Sequence, residues 1–119
     1  MHTRRDIVNK PWGHEVIWAH TASYVGKVLV IKPNQRLSRQ YHEKKDESFY
    51  VLKGAMELEI GVPGADGFNT MIMGPGNCFH CPPGTVHRMR AGDEGCEVAE
   101  VSTPELDDIV RLDDDYDRT

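Results

Sequence analysis

Short runs of alternating apolar and polar residues, punctuated by glycines and prolines, make up most of the chain. Alternation of this kind is typical of strands that bury one face, because successive side chains of a strand point to opposite sides. No long segment ahead of Pro104 shows the periodicity of an amphipathic helix. The pattern predicts strands at residues 15–19, 25–32, 36–42, 47–52, 55–60, 70–73, 85–91 and 97–102.

The turns between these strands favour an all-β domain. Lys53-Gly54 separates residues 47–52 from residues 55–60, and a glycine at this place predicts a hairpin between the two strands. Regular short strands with frequent turns indicate a sandwich or a barrel. With 119 residues, the chain has the length of one domain spanning residues 1–119.

The net charge of −5 comes from the C-terminal end of the chain. Residues 105–119 carry seven acids and two bases, whereas the first 104 residues carry 12 of each. A body without basic excess argues against a general nucleic-acid binder, whose affinity depends on neutralising many phosphates.

The sequence also lacks signs of membrane insertion or secretion. No apolar run approaches the length of a membrane span, no signal peptide is visible, and three cysteines cannot all pair. We therefore expect a cytoplasmic protein that contacts neither nucleic acid nor membrane.

The acidic C-terminal segment also contains apolar residues. Leu106, Ile109, Val110 and Leu112 stand among the acids, whereas a solvated disordered tail would lack such anchors. We expect residues 106–112 to dock on the body of the domain, with most of the acids of the tail facing water.

Four residues on the predicted strands have the chemistry of a metal site. Alternation places Gln40 and His42 on one face of their strand, Glu47 begins the next strand, and His87 follows a Pro-Pro-Gly turn. In a small barrel, these strands can direct their side chains to one interior point. Two imidazoles, a carboxylate and an amide oxygen suit Zn²⁺, Mn²⁺ or Fe²⁺ and leave positions for water or substrate. Any one of these side chains alone could instead be an ordinary half-buried polar group.

The spacing of these residues resembles the two sequence motifs of the cupin family. The first motif is matched by Asn34-x5-Gln40-x-His42-x4-Glu47-x6-Gly54, and the second by Gly76-x5-Pro82-x-Gly84-x2-His87-x3-Ala91. This sequence departs from the family pattern at three positions, with Asn34 for a glycine, Gln40 for a histidine and Ala91 for an asparagine. The resemblance implies the cupin fold, a double-stranded β-helix or jelly-roll barrel, with the acidic C-terminal segment docked on it.

The Gln-x-His pair is similar to that of the mannose-6-phosphate isomerases, in which the glutamine is a zinc ligand. Residues 10–13, 36–42 and 107–116 resemble the type II enzymes. There a similar cupin domain forms the C-terminal part of a bifunctional mannose-6-phosphate isomerase/mannose-1-phosphate guanylyltransferase. This implies aldose–ketose isomerisation of a hexose phosphate through an enediol. The resemblance implies a bound divalent ion, for which zinc ranks first and manganese, iron and nickel are alternatives. The implied ligands are Gln40, His42, Glu47 and His87.

The expected substrate is a small sugar phosphate, and its phosphate requires cations. Arg36 shares a strand face with the predicted ligands, and Lys44 follows His42 by two positions, so we expect both to contact the phosphate.

The general base and the function class are left open by the sequence. Tyr41, Glu43 and His80 are all candidates for the base, and their spacing does not separate them. An iron-dependent dioxygenase and a non-catalytic sugar or small-molecule binder are the alternatives, because cupins host many functions on one scaffold. By analogy with other small cupins, we expect a homodimer.

Overall fold

Nine strands and no helix form the part of the chain that the computed structural model describes, residues 1–62 and 66–118. The all-β prediction is therefore confirmed. Nothing in this part of the chain provides the long apolar helix that crossing a membrane would require. The strands are β1 (Asp6–Lys10), β2 (Gly13–His20), β3 (Val25–Ile31), β4 (Arg39–Tyr41), β5 (Glu47–Gly61), β6 (Phe68–Met73), β7 (Cys78–Cys81), β8 (His87–Ser102) and β9 (Val110–Asp113).

The two longest strands, β5 and β8, pair with each other and join two antiparallel layers. The first part of β5 pairs with the last part of β8, and these strands lie in a layer with the order β7-β5-β8-β3-β2-β1. The rest of β5 pairs with the first part of β8 in a second layer with the order β6-β5-β8-β4-β9. The site residues lie where β4, β5 and β8 meet.

Both long strands bend between the layers at a pair of glycines. Gly54 and Gly95 have φ angles of 78° and 77°, and the register shifts between Gly54 and Met56. A methyl group on Gly54 would lie 2.2 Å from the carbonyl oxygen of Gly95. The hairpin predicted at Lys53-Gly54 is therefore wrong, because the strand bends there and continues. A glycine with positive φ occurs in β-bulges as well as in tight turns. The glycine at position 54 therefore did not distinguish a bend in one strand from a hairpin between two.

Several strand boundaries also differ from the sequence prediction. Residues 85–91 and 97–102 belong largely to the single strand β8, whereas the predicted strand at 36–42 shortens to β4 and one isolated bridge at Arg36. Strands β1, β7 and β9 were not predicted. β1 is mostly exposed along its length, so it lacks the alternation of buried and exposed positions that reveals a strand.

The core forms from side chains of both layers. Phe49 and Val98 of the first layer pack in one cluster with Leu58 and Met89 of the second, and Trp12 closes one side of it. Burying an apolar side chain of this size stabilises a fold by about 1.5–3 kcal/mol. This cluster supports the polar site directly, since the ring of Phe49 lies 6.2 Å from that of His87.

The C-terminal segment docks on the body as predicted. Strand β9 pairs with β4, with Gln40 opposite Arg111 and Tyr41 opposite Val110. Most of its acids face water as expected, since Asp107, Asp113, Asp115 and Asp117 are exposed. Arginines and main-chain N–H groups nevertheless bind several of them. Four of the seven acids accept hydrogen bonds, namely Asp108, Asp113, Asp114 and Asp115.

The outer face of the first layer carries exposed apolar side chains. Ile7, Trp18, Tyr50, Leu52 and Val101 are each about half exposed, at 46–54%. Exposed apolar side chains that cluster on one face are typical of an interaction site. The expected homodimer stays a prediction.

We predict that Gly54→Ala destabilises the fold much more than Gly76→Ala. Both glycines have positive φ, but a methyl group at Gly76 would meet nothing within 4 Å. Gly76→Ala should cost about 1–2 kcal/mol from backbone strain alone. Gly54→Ala adds a clash with main chain and should cost at least about twice as much. Urea unfolding of the two variants measures the difference, and equal losses would show that close packing at the corner is not required.

Candidate metal centre

Three buried side chains bring their donor atoms to one point. His42 follows β4, Glu47 begins β5 and His87 begins β8. Nε2 of His42 lies 2.9 Å from Oε2 of Glu47, and Nε2 of His87 lies 3.3 Å from the same oxygen. All three donor atoms lie within 4.8 Å of one another. The sequence predicted that these residues would meet, and the structure brings them together.

These atoms fit a divalent metal ion. Within the residues that the structure describes, Nε2 of His42, Oε2 of Glu47 and Nε2 of His87 are buried without a hydrogen-bond partner. Leaving such atoms unpaired is costly. Ligands that bind one ion at about 2.1 Å lie about 3.0–3.4 Å apart in octahedral or tetrahedral geometry, close to the observed separations. The triad is therefore consistent with a metal site that takes nitrogen and oxygen donors, and the identity of the metal is unknown.

Gln40 lies beside this triad. It is the cross-strand partner of His87, and its Oε1 accepts a hydrogen bond of 2.7 Å from Oγ of Ser38. An amide oxygen has two lone pairs, so this hydrogen bond leaves one for a metal. Gln40 as a fourth ligand stays a prediction.

Main-chain carbonyls hold both imidazoles in the orientation that metal binding needs. Nδ1 of His42 hydrogen-bonds to the carbonyl of Asp108, and Nδ1 of His87 to the carbonyl of Thr85 at 2.9 Å. A neutral imidazole that donates through Nδ1 carries its lone pair on Nε2, which is the atom that faces Glu47 here. Sγ of Cys81 also lies 3.2 Å from Nδ1 of His87.

Asp108 connects the C-terminal segment to the metal centre. Its carboxylate accepts main-chain hydrogen bonds from Glu43, Lys44 and Lys45, at 3.0, 2.7 and 2.9 Å. These bonds, that from Lys44 above all, hold the pKa of Asp108 below its usual range. One residue thus fixes both the loop after His42 and the imidazole itself. Sequence reasoning gave Asp108 no role, although it lies in the segment that resembles the type II enzymes.

His42 and Glu47 line a cavity of about 250 Å³, together with residues of both layers and of the C-terminal segment. Strand residues supply most of the wall, including Gln40 and Glu47, and His42 joins them from the loop after β4. The C-terminal segment contributes Leu106, Asp107, Ile109, Arg111 and Arg118.

A chain of buried charges runs along the cavity wall from the metal centre. Nζ of Lys45 lies 3.3 Å from Oε1 of Glu47 and 3.1 Å from Oε2 of Glu100. Nζ of Lys27 lies 3.7 Å from Glu100 and 3.2 Å from Glu15. Burial raises the pKa of Glu100, whereas the two lysines act to lower it. These buried charges were not predicted from the sequence. The signal that could have indicated them is the lysine at position 27, because a charged residue on the inward face of a strand requires a partner.

The groups of the triad strongly affect each other's protonation. Burial alone would raise the pKa of Glu47, but contacts with His42 and His87 and the charge of Lys45 bring it well below its usual range. Burial would lower the pKa of His87, but contacts with Cys81 and Glu47 raise it to about 9. The pKa of His42 is also raised, since Glu47 outweighs the effect of burial.

The structure places the expected phosphate and base residues away from the cavity wall. The guanidinium of Arg36 binds Asp115 through two hydrogen bonds of 2.7 and 2.8 Å, and Lys44 is exposed in the loop after β4. Neither residue lies inside a regular strand, so alternation alone does not determine which way its side chain points, and contact of Arg36 and Lys44 with a phosphate stays a prediction. Tyr41, Glu43 and His80 do not line the cavity either.

The antiparallel double-layer fold and the buried triad of two histidines and one carboxylate are consistent with a β-barrel protein that has a metal site. Residues 27–102 match the family model described as Cupin domain, so the chain belongs to the cupin family. The resemblance drawn from the two motifs is confirmed.

Curated relatives are distant and much longer. The chain is 28% identical over 94% of its length to "Xanthan biosynthesis protein XanB" of Xanthomonas campestris, covering 24% of that protein. It is 31% identical over 98% of its length to "Mannose-1-phosphate guanylyltransferase ManC" of Salmonella typhimurium, covering 24% of it. A third relative, "D-lyxose ketol-isomerase" of Thermofilum sp., is 27% identical, with 78% of this chain and 63% of that protein covered. The chain thus spans about a quarter of the first two relatives.

Solved structures show the same fold. KdgF from Halomonas sp. superposes with a TM-score of 0.73 at 25% identity, covering 86% of this chain and 90% of that one. The capsular polysaccharide assembling protein CapF from Staphylococcus aureus gives a TM-score of 0.80 at 17% identity, covering 94% of this chain and 32% of that one.

We predict that metal binding releases protons and becomes tighter as pH rises. A metal takes the unprotonated imidazole, whereas the pKa of His87 is raised to about 9, so His87 holds a proton at neutral pH; contact with Glu47 raises the pKa of His42 in the same direction. Affinity for Zn²⁺ should increase with pH up to about 9. At pH 7, calorimetry in buffers of different ionisation enthalpy should show at least one proton released per ion. A binding heat that does not depend on the buffer would contradict this.

We predict that Asp108→Ala weakens metal binding by roughly 10- to 100-fold, the usual effect of losing a group that orients a ligand. The variant frees the loop after His42 and lets the carbonyl of residue 108 move away from the imidazole. Asp107→Ala is the matched control, because it removes the same charge from the adjacent, exposed residue. Competition with a chromophoric zinc chelator measures both affinities. Equal losses in the two variants would mean that the charge of the segment matters and that the contacts of Asp108 do not.

Proposed function

We propose that this protein is a metal-dependent aldose–ketose isomerase acting on a hexose 6-phosphate. The observation that carries the proposal is the convergence of unpaired donor atoms of His42, Glu47 and His87 beside a cavity large enough for a small sugar derivative. The resident ion that we propose is zinc, with Gln40 as its fourth protein ligand.

The relatives support this reaction class. One of them is named a ketol-isomerase, and another carries a name from mannose 1-phosphate metabolism. These names describe the relatives and not this protein. They make a sugar or a sugar phosphate the first class of substrate to test with this protein. Replacement of a histidine by Gln40 in the first motif also distinguishes this chain from the three-histidine set common in cupin oxygenases.

Isomerisation needs one group that moves a proton between adjacent carbons. A bound divalent ion would polarise the sugar carbonyl. Glu100 is the carboxylate that we assign to the proton transfer, because it is buried, lines the cavity, and is separated from Glu47 by the ammonium of Lys45 alone. Its raised pKa makes it a stronger base than an exposed carboxylate.

The proton transfer balances without a redox partner. Glu100 takes the proton from C2 of the aldose and an enediol forms as the carbonyl oxygen gains a proton. The same carboxyl group returns its proton to C1 while the hydroxyl on C2 loses one, which offsets the proton that the carbonyl oxygen on C1 gained, and the ketose results. Nζ of Lys27 and Nζ of Lys45 both lie beside Oε2 of Glu100, at 3.7 and 3.1 Å, and orient its carboxylate.

We predict that the zinc-loaded protein interconverts mannose 6-phosphate and fructose 6-phosphate, with deuterium from D₂O entering the product at the migrating position. Glu100→Gln should lower this exchange by roughly 10²- to 10⁴-fold, the usual contribution of a general base, while metal binding persists. Proton NMR of the sugar measures turnover and exchange together.

Glu15→Gln is the matched control for the base, because Glu15 also pairs with Lys27 on the cavity wall but lies one lysine further from the metal centre. It should retain most of the activity. Bound iron with uptake of O₂ would overturn the isomerase in favour of an oxygenase. Metal binding without turnover of any hexose phosphate would favour a non-catalytic binder.

A further inference from the structure

We propose that the outer face of the first layer binds an acidic sugar chain in which neutral rings separate the uronic acids. Trp18 provides the ring on which a sugar stacks, and Arg4 and Arg5 bind a uronic acid carboxylate. These residues lie in an open groove of about 680 Å³, lined by residues 2–7 and Trp18. None of the residues of this groove lines the cavity of the metal centre, so the inference is independent of the proposed isomerase.

The indole of Trp18 lies flat on the sheet. A methyl group on Gly26 would lie 2.6 Å from Cζ2 of Trp18, and 2.9 and 3.0 Å from the two ring atoms bonded to it, Cε2 and Cη2. Distances this similar place the methyl position above the ring and not at its edge. One face of the indole therefore packs on the main chain of Gly26. Because the side chain is still 52% exposed, the other face is open to solvent.

A bulge in β2 produces this arrangement. Ile17 pairs with Lys27 and Ala19 pairs with Gly26, so Trp18 is the extra residue between them. A bulge redirects the side chain of its extra residue, and the glycine opposite leaves room for the ring. The indole is thus held in one orientation before any ligand arrives, which lowers the entropy lost on binding.

Two arginines lie beside the indole. Asp6 pairs with Ile17, and one further step of the same antiparallel register brings Arg5 level with Trp18. Neither Arg4 nor Arg5 forms an ion pair with another residue that the structure describes, and Asp6 is the single acid that lines the groove. A guanidinium binds a carboxylate through two parallel hydrogen bonds. The groove therefore combines positive charge with a flat apolar ring.

The rest of the face favours a sugar chain over a nucleic acid. Two rows of paired residues cross the layer next to the groove without any charge, namely Gly26, Val101 and Ser48, and Val28, Ala99 and Tyr50. A nucleic acid carries a phosphate at every nucleotide and requires basic residues along its whole path. A sugar ring instead packs its C–H groups on apolar and aromatic side chains. Charge at one end of an uncharged face thus fits a chain with widely spaced carboxylates.

The test measures binding of a hyaluronan hexasaccharide, in which glucuronic acid and N-acetylglucosamine alternate, by calorimetry and tryptophan fluorescence. Chitin hexasaccharide, in which every ring is uncharged, is the matched probe. Fluorescence changes report on Trp18, because the other tryptophan, Trp12, is 2% exposed. Wild type should bind the hyaluronan hexasaccharide about tenfold more tightly than the chitin hexasaccharide, and high salt should remove this difference.

Four variants assign the parts of the site. Trp18→Ala should weaken binding of both sugars by about tenfold or more, and Trp18→Phe should recover part of it. Gly26→Ala keeps the indole but displaces it from the main chain, so it should also weaken both. The double variant Arg4→Gln, Arg5→Gln should lower the affinity for hyaluronan to that for chitin and leave chitin binding unchanged.

Ile72→Ala is the matched control for loss of an exposed apolar side chain. Ile72 is 71% exposed but lies on β6 of the second layer, outside the proposed site, so this variant should bind both sugars like wild type. All variants should bind zinc like wild type, which shows that the fold and the metal centre are intact. Weakening by Ile72→Ala as large as that by Trp18→Ala would overturn the proposal.

A second copy of the chain and a nucleic acid are the other occupants that the experiment distinguishes. A wild type that binds neither hexasaccharide, and forms a dimer that Trp18→Ala dissociates in analytical ultracentrifugation, would make this face a dimer interface and overturn the proposal. Tighter binding of a thymidine oligonucleotide than of hyaluronan would overturn it in favour of a nucleic acid. Undiminished hyaluronan binding by Trp18→Ala would place the sugar elsewhere on the chain and would contradict it as well.

Discussion

A buried carboxylate, Glu47, is the group on which the rest of the site depends. Burying a charge is costly unless partners of opposite charge or a metal compensate it. Here two imidazoles and the ammonium of Lys45 surround it, and Lys45 in turn requires Glu100. The charged chain inside the barrel follows from placing one carboxylate at the start of β5. A divalent ion at the triad would satisfy the donor atoms that these contacts leave unpaired.

The C-terminal segment also supports the metal centre and its cavity. It supplies the carbonyl that orients His42, the carboxylate that holds the following loop, and a wall of the cavity. Arginines of the body pair with Asp113 and Asp115, whereas Arg111 and Arg118 of the segment line the cavity. Segment docking and metal binding should consequently be coupled, since the carbonyl of Asp108 contributes to both.

The sequence was sufficient for the strands that alternate and for the three residues of the triad. Those residues lie on or beside strands whose faces follow from a period of two and from a Pro-Pro-Gly turn. It was insufficient where a residue meets a partner far along the chain, as Arg36 does with Asp115, 79 positions away. The corner at Gly54 could not be predicted either, because the same glycine conformation serves a hairpin turn and a bend, and only the closeness of Gly95 decides between them.

Anomalous scattering from crystals of the zinc-loaded protein, measured on both sides of the zinc absorption edge, is the most direct test of the metal centre. The structure predicts one strong peak at about 2.0–2.2 Å from Nε2 of His42, Oε2 of Glu47 and Nε2 of His87, the usual zinc distances for these donors. A triad without a peak, or zinc bound only elsewhere on the chain, would contradict the assignment of these residues as a metal site.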